Sequence, residues 1–381
     1  MGILDRIFGR KQEPQSPASS PLAQAPDTQS DSNADEDSVL INAYATVREL
    51  PSYDFPHRPQ ARRDLSDPDL AQHLNGFAGY VMSRGDGQMN AARYHLWRHV
   101  QRVRNHASLL VRPDNIQAME HWARRANAIL FLPDGSVRAP DLAVLMTADG
   151  EFGDASKLPY PTDAVNRRSR TLAQLSSMIP KPPASMPPSL GESEVALPST
   201  ADVVARALAL FCVAEDGIAI NDGSQRVRDL MQERNPIGMA ALSPQERAFI
   251  EDPSPSAHAA IQMSWRYEAL NVLLWALVPG EEIEPADTTV DAPTLAQQLI
   301  VLAEDETARN AVTLRPVNEI LDLLDLTWRQ HWIVRQARQD GQDHVVGLEP
   351  GVVMERHHAL NWLTGFQNDP GTGWDDVDTP S

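Results

Sequence analysis

Three carboxylates define the chemistry this sequence has the residues to perform. Glu268 lies in the segment 261–277 and Asp322 and Asp325 in 315–332, two tryptophan-bearing stretches that are otherwise mostly apolar. Carboxylates held close together in apolar surroundings raise one another's pKa, which is how a general acid at neutral pH is made. Glu268, Asp322 and Asp325 are therefore the acid/base candidates of a hydrolase-like enzyme, although no spacing assigns any of them as catalytic. The competing reading is structural. On helical projections Ser264, Glu268, Asn271 and Trp275 share one stripe, and Glu319, Asp322, Asp325 and Arg329 share another. Three acids within two turns repel unless cations meet them. Arg266, Arg315, Arg329 and Arg356 are the cations at hand, and with Glu355 they complete an expected buried network of Arg266, Glu268, Asn271, Arg315, Glu319, Asp322, Asp325, Arg329, Glu355 and Arg356. Buried charges are costly unless paired, so the network is preferred over the catalytic cluster, with an arginine expected on Glu268.

Glu355-Arg-His-His358 places imidazoles beside a carboxylate, a ligand set for zinc or iron. Adjacent residues on a helix point about 100° apart, so His357 and His358 do not easily share an ion, and His331 would have to reach across from another helix. These three are weak metal candidates, and no metal or cofactor is expected. Gly-x-Ser-x-Gly, phosphate-cradling and dinucleotide-binding glycine patterns and cysteine-histidine metal patterns are all absent from the sequence, which removes the usual support for the common enzyme classes.

Residues 91–125 carry seven arginines against Asp114 and Glu120. Arg98, Arg102, Arg104, Arg124 and Arg125 are candidates for anion binding. Residues 151–381, however, hold 17 basic and 34 acidic side chains within a chain of net charge −19. That acidic half repels nucleic acid and is itself the nearer anion, so the arginines are expected to dock within the chain. The reading is of a protein partner rather than nucleic acid or membrane, with the oligomeric state open.

The elements that must position these residues fall into two classes. Period-two patterning predicts strands over 39–47 and 107–111 and a hairpin over 129–137 turned by Pro133-Asp134-Gly135, with helices over 68–82, 91–103 and 115–126. Residues 39–150 thus read as a small α+β domain. Eight prolines crowd residues 151–200, a connector with one helix at 168–178. Helices are then predicted over 201–213, 225–232, 244–250, 257–278, 293–303, 316–339 and 350–363, several beginning with proline at the first helical position, so 201–379 reads as all-α. Residues 1–38, poor in large apolar side chains, read as a disordered tether, and the opening 11 residues lack the apolar core of a signal peptide. Gly2 does not make a myristoylation signal, because Arg6 stands where Ser or Thr is needed. A single cysteine, Cys212, precludes an internal disulfide, and no run of about 18 apolar residues is present, so a cytoplasmic location is expected.

Arg168-Ser-Arg-Thr-Leu, Val203-Val-Ala-Arg, Ser243-Pro-Gln-Glu, Trp265-Arg-Tyr-Glu-Ala-Leu-Asn, Arg315 with Glu319, Trp328-Arg-Gln-His-Trp, Glu355-Arg-His-His-Ala-Leu-Asn-Trp and the closing Trp374-Asp-Asp-Val-Asp-Thr resemble the bacterial family called domain of unknown function 4272. The resemblance runs from about residue 167 to 379. It implies an intracellular bacterial helical domain and carries over no catalytic residue, cofactor or substrate.

Overall fold

The central strand β1 (Val39–Ala45) buries side chains on both of its faces. Ile41, Ala43 and Ala45 point to one side and Tyr44 to the other, each almost fully buried, as the period of two demands. In this computed structural model, which describes residues 38–280, 282–342, 344–367 and 372–381, β1 is flanked by β3 (Asn105–Val111) and β4 (Ala128–Phe131). With β2 (Arg58–Asp64), β5 (Val137–Arg138) and β6 (Val144–Met146) they form a six-stranded antiparallel sheet of order β2-β3-β1-β4-β5-β6. Helices α1 (Asp69–Ser83) and α2 (Ala91–Arg102) cover the Tyr44 face through Phe77, Val81, Leu96 and Val100. On the opposite face lie α3 (Pro113–Ile116) and α4 (Met119–Arg125), where Trp122 is fully buried against Ile41 and Ala43 and donates its indole N–H to the Pro51 carbonyl at 2.9 Å.

β2 was not expected from its sequence. Arg58-Pro-Gln-Ala-Arg-Arg-Asp64 has no apolar alternation, but an edge strand need bury little, and the irregular pairing at Pro59 and Ala61 accommodates a proline that cannot donate to the ladder. The tether expected over 1–38 falls, but for Ser38, outside the described residues.

Beyond the sheet the chain is mostly helical: α5 (Thr162–Gln174), α6 (Thr200–Asn221), α7 (Arg228–Arg234), α8 (Pro236–Ala240), α9 (Pro244–Glu251), α10 (Ala257–Ser264), α11 (Arg266–Leu277), α12 (Ala292–Glu304), α13 (Glu306–Ala311), α14 (Val317–Gln339) and α15 (Pro350–Thr364). α6 is buried on nearly every side, with Leu208, Leu210, Cys212 and Val213 inaccessible, and it is the hub around which α10, α11 and α12 pack. Gly217 permits the close approach of α10 to α6, because a Cβ there would stand 2.7 Å from the Ala260 carbonyl oxygen. The single helix expected over 257–278 is interrupted by one residue, Trp265, where α10 gives way to α11. No helix among the described residues is long and apolar enough to cross a membrane. Val39–Ser381 pack as one unit, and part of the join is polar: Arg102 of α2 meets both carboxylate oxygens of Glu194 at 2.6 Å, both side chains buried, beside an Arg48 N–H donated to the Ser193 carbonyl at 2.9 Å.

Candidate functional site

The acidic stripe of α14 divides among separate cations. Glu319 takes Arg315 at 3.0 Å. Arg315 also donates to the carbonyls of Trp275 and, at 2.8 Å, Val278, and its guanidinium lies 4.4 Å from the centre of the Trp275 ring. It thereby supplies positive charge to the carbonyl end of α11, where the helix dipole is negative. Asp322 takes Arg167 at 2.8 Å and Arg170 at 2.8 and 3.0 Å, joining α5 to α14. Asp325 takes Arg329 through two bonds of 2.9 and 3.0 Å, both side chains 0% exposed, and Arg329 reaches on to the Pro187 carbonyl at 2.9 Å, pinning the proline-rich connector.

The expectation that this whole stripe is buried needs correction, since Glu319 is exposed and the Asp322 side chain is 46% exposed. At 3.6 residues per turn the direction of the side chain swings by about 120° between Glu319 and Asp325, enough to carry it from solvent into the core. Arg167 and Arg170 were not singled out in the sequence. Their spacing of three on an amphipathic helix was the available signal.

Glu268 and Asn271 are both buried, at 2% and 9% exposure. The arginine expected on Glu268 is not there. Its Oε1 accepts the Val290 backbone N–H at 2.8 Å and its Oε2 has no hydrogen-bond partner among the described residues. Arg356 stands near enough to act electrostatically but donates to the carbonyls of Glu284, at 2.7 Å, and Pro285. Two backbone acceptors in the 284–285 loop capture the guanidinium instead. Burial pushes the Glu268 pKa up, against the Val290 N–H and Arg356, and Glu355 and Glu284 push it further in the same direction. The Asn271 Nδ2 is also unpartnered among the described residues, and this side chain borders a cavity of about 120 Å³ with Glu284 and Val290.

Arg266 and Glu355 meet at 2.9 and 3.1 Å, linking α11 to α15, and burial still holds the Glu355 pKa above its ordinary value. His357 and His358 diverge as their adjacency requires. His357 Nδ1 lies 2.7 Å from His331 Nδ1, while His358 Nε2 donates to the Trp374 carbonyl at 3.1 Å. Burial lowers all three imidazole pKa values, to about 4 for His331 and His358 and well below the ordinary 6.5 for His357, so the rings are neutral at pH 7. One Nδ1 of the first pair must then donate and the other accept. No group of three or more His, Cys, Asp or Glu among the described residues has the arrangement to hold a metal ion.

The closing segment straps these helices together. Asp375 accepts from Ser243 Oγ at 2.6 Å and from the Gln245 N–H at 2.9 Å, adding a carboxylate to the N-terminus of α9, which Ser243 and Glu246 already cap. Glu246 pairs in turn with Arg206, whose guanidinium lies 5.0 Å from the centre of the Trp374 ring. Asn361 donates to the Asp378 carbonyl at 2.7 Å and Trp328 to that of Pro380 at 3.1 Å. The motifs of the C-terminal half therefore bond to one another, and residues 167–377 match the family described as Domain of unknown function (DUF4272). The chain belongs to the DUF4272 family. The match begins at Arg167, so α5 and its two arginines on Asp322 lie inside the DUF4272 region while the sheet lies outside it. Comparisons with curated proteins and with solved structures give no match.

The arginines of residues 91–125 have diverse partners. Arg124 pairs with Glu120 at 2.6 Å and Arg125 with Asp54 at 2.9 Å, both within the sheet region. Arg102 faces the connector through Glu194, Arg98 bonds Gln101 and feels Asp378, and the Arg104 backbone N–H donates to the Ala45 carbonyl at 2.9 Å.

Proposed function

We propose that the protein is an interaction or scaffold module that presents a preorganised surface to another protein. The observation that carries this reading is the dispersal of the candidate acids: Glu268, Asp322 and Asp325 have three different sets of partners, and the last two are engaged by arginines from α5 and α14. Groups spent on holding segments together are not free to move protons for a substrate. A rigid body is what a binding surface needs, because ordering costs are then met during folding and not on association. The net charge of −19 argues against nucleic acid as the partner. A bacterial cytoplasm is part of the same proposal, and it is supported by the family resemblance and by a lone cysteine whose buried thiol is pushed up to about 12, chiefly by burial, and so is inert.

One observation favours a second reading, a hydrolase-like enzyme. Glu268 is a carboxyl with a raised pKa and a free buried oxygen, the condition of a general acid, and Asn271 beside it reaches a cavity. The two readings part in a turnover screen of the full chain on chromogenic esters, phosphoesters, glycosides and peptides. The scaffold reading expects no turnover that Glu268→Gln abolishes. Turnover lost in that folded variant would establish the enzyme.

A further inference from the structure

A cleft of about 780 Å³ lies where the sheet region, the connector and α5 come together. That volume is in the range of small-molecule sites. Its charged lining is Arg124, Lys157 and Arg168 against the single carboxylate of Asp141, an excess of cations in a chain of net charge −19 and one of only three lysines in the sequence. Lys157 lies 3.2 Å from Asp141 and Arg124 3.8 Å from it, with Arg124 held more closely by Glu120 at 2.6 Å, so three cations meet two carboxylates. Arg168 donates to the Ala184 carbonyl, has no carboxylate within ion-pair distance among the described residues, and its buried Nε has no partner there. His95, the remaining basic side chain of the lining, is kept neutral mainly by burial. Leu158, Val165, Met186 and Pro187 supply an apolar wall on the same cleft.

We infer that this cleft binds a small organic anion, a carboxylate or phosphate head on an apolar body, with Lys157, Arg124 and Arg168 facing the head. Arg168, which no carboxylate meets among the described residues, gives the cleft an excess positive charge that favours a negative head where the rest of the chain repels it, and the apolar wall takes the body out of water. The Arg124 singled out in the sequence is one member of this set. Lys157 and Arg168 come to it from the connector and α5, which no local pattern joins to residues 91–125. The site is independent of the scaffold reading, since it would place a ligand on the platform whether or not a protein binds elsewhere.

Isothermal titration of the full chain with phenyl phosphate, benzoate and benzyl alcohol tests it. The expected result is saturable binding of at least one of the two anions, about tenfold or more tighter than the neutral alcohol and weakened by salt; the tighter anion identifies the head group. Lys157→Gln and Arg124→Gln, both at partly exposed positions that the fold tolerates, should each weaken anion binding several-fold. Asp141→Asn should strengthen it by releasing Lys157, while Arg124 keeps Glu120, an inversion of sign that a purely structural role for these residues would not produce. Absence of saturable binding of either anion at about 10 mM, equal binding of benzyl alcohol, or anion affinity unmoved by all three substitutions would overturn the inference.

Discussion

Removing the Asp325 carboxylate should be among the most damaging single changes in the helical region, although the residue touches neither cavity described above. Asp325 and Arg329 are both 0% exposed, and their two bonds of 2.9 and 3.0 Å are the only ion pair either makes among the described residues. Asp325→Ala would leave a buried guanidinium with the Pro187 carbonyl alone, and breaking a buried pair in this way costs about 3–5 kcal/mol. Against a typical total of about 5–15 kcal/mol, that is enough to bring the protein close to unfolding at ordinary temperature. Asp322→Ala is the matched control. Its side chain is 46% exposed and its partner Arg170 62% exposed, and the second arginine, Arg167, though buried, would keep Asp163 at 3.4 Å and the Leu190 carbonyl at 2.9 Å, so the cost should stay at about 1–2 kcal/mol. Urea denaturation of the two variants measures both costs as shifts of midpoint at constant slope. If Asp325→Ala proves too unstable to purify, the double variant Asp325→Leu with Arg329→Met removes both charges and should recover most of the loss. A cost below about 2 kcal/mol for Asp325→Ala, or equal costs at the two positions, would refute the reasoning from burial.

Acid should destabilise the protein before its carboxylates titrate. Burial depresses His331 and His358 to about 4 and His99 and His106 to about 3, from an ordinary 6.5, so the folded chain refuses protons that the unfolded chain accepts. The stability tied to these neutral rings is complete above pH 6.5 and is lost as pH falls toward 4, opposed in part by the raised carboxyls of Glu268 and Glu355, which favour the folded state as they protonate. Melting temperatures should therefore fall from pH 7 to pH 5, and a flat or rising profile would count against it. Glu268→Gln should change stability by less than about 1 kcal/mol, because a neutral amide replaces a buried carboxylate that no cation holds, whereas Glu355→Gln should cost about 2 kcal/mol or more through Arg266; thermal melts of the two variants would show the order. Elemental analysis of the purified chain should find no stoichiometric zinc or iron, and one ion per chain lost on His357→Ala would contradict the divergent histidine geometry.

What the sequence disclosed, and what it withheld, follows from the range of the interactions. β1, β3 and the hairpin were legible because both faces of the sheet are buried and the turn residues are local, while β2 was not, because an edge strand of Arg, Pro and Gln shows no periodicity. The short helices α8 and α13 are held by packing against longer neighbours more than by their own pattern. In the polar network, pairs four residues apart on one helix, such as Asp325 with Arg329, could be read from spacing. Pairs made across 89 positions, as between Arg266 and Glu355, offered residue types but not partners. Glu268 was misassigned for a further reason: its partner is the backbone N–H of Val290, a group every residue but proline carries and no sequence pattern marks.

The central claim is that the chain works as a binding platform, and the direct measurement is capture of its partner by chemical cross-linking of the full chain in its source cells, followed by titration of the purified pair. The expected result is a saturable complex of defined stoichiometry whose dissociation constant is unchanged by Glu268→Gln. Failure of every cross-linked protein to bind when purified, together with substrate turnover that Glu268→Gln abolishes, would contradict the claim and leave an enzyme in its place.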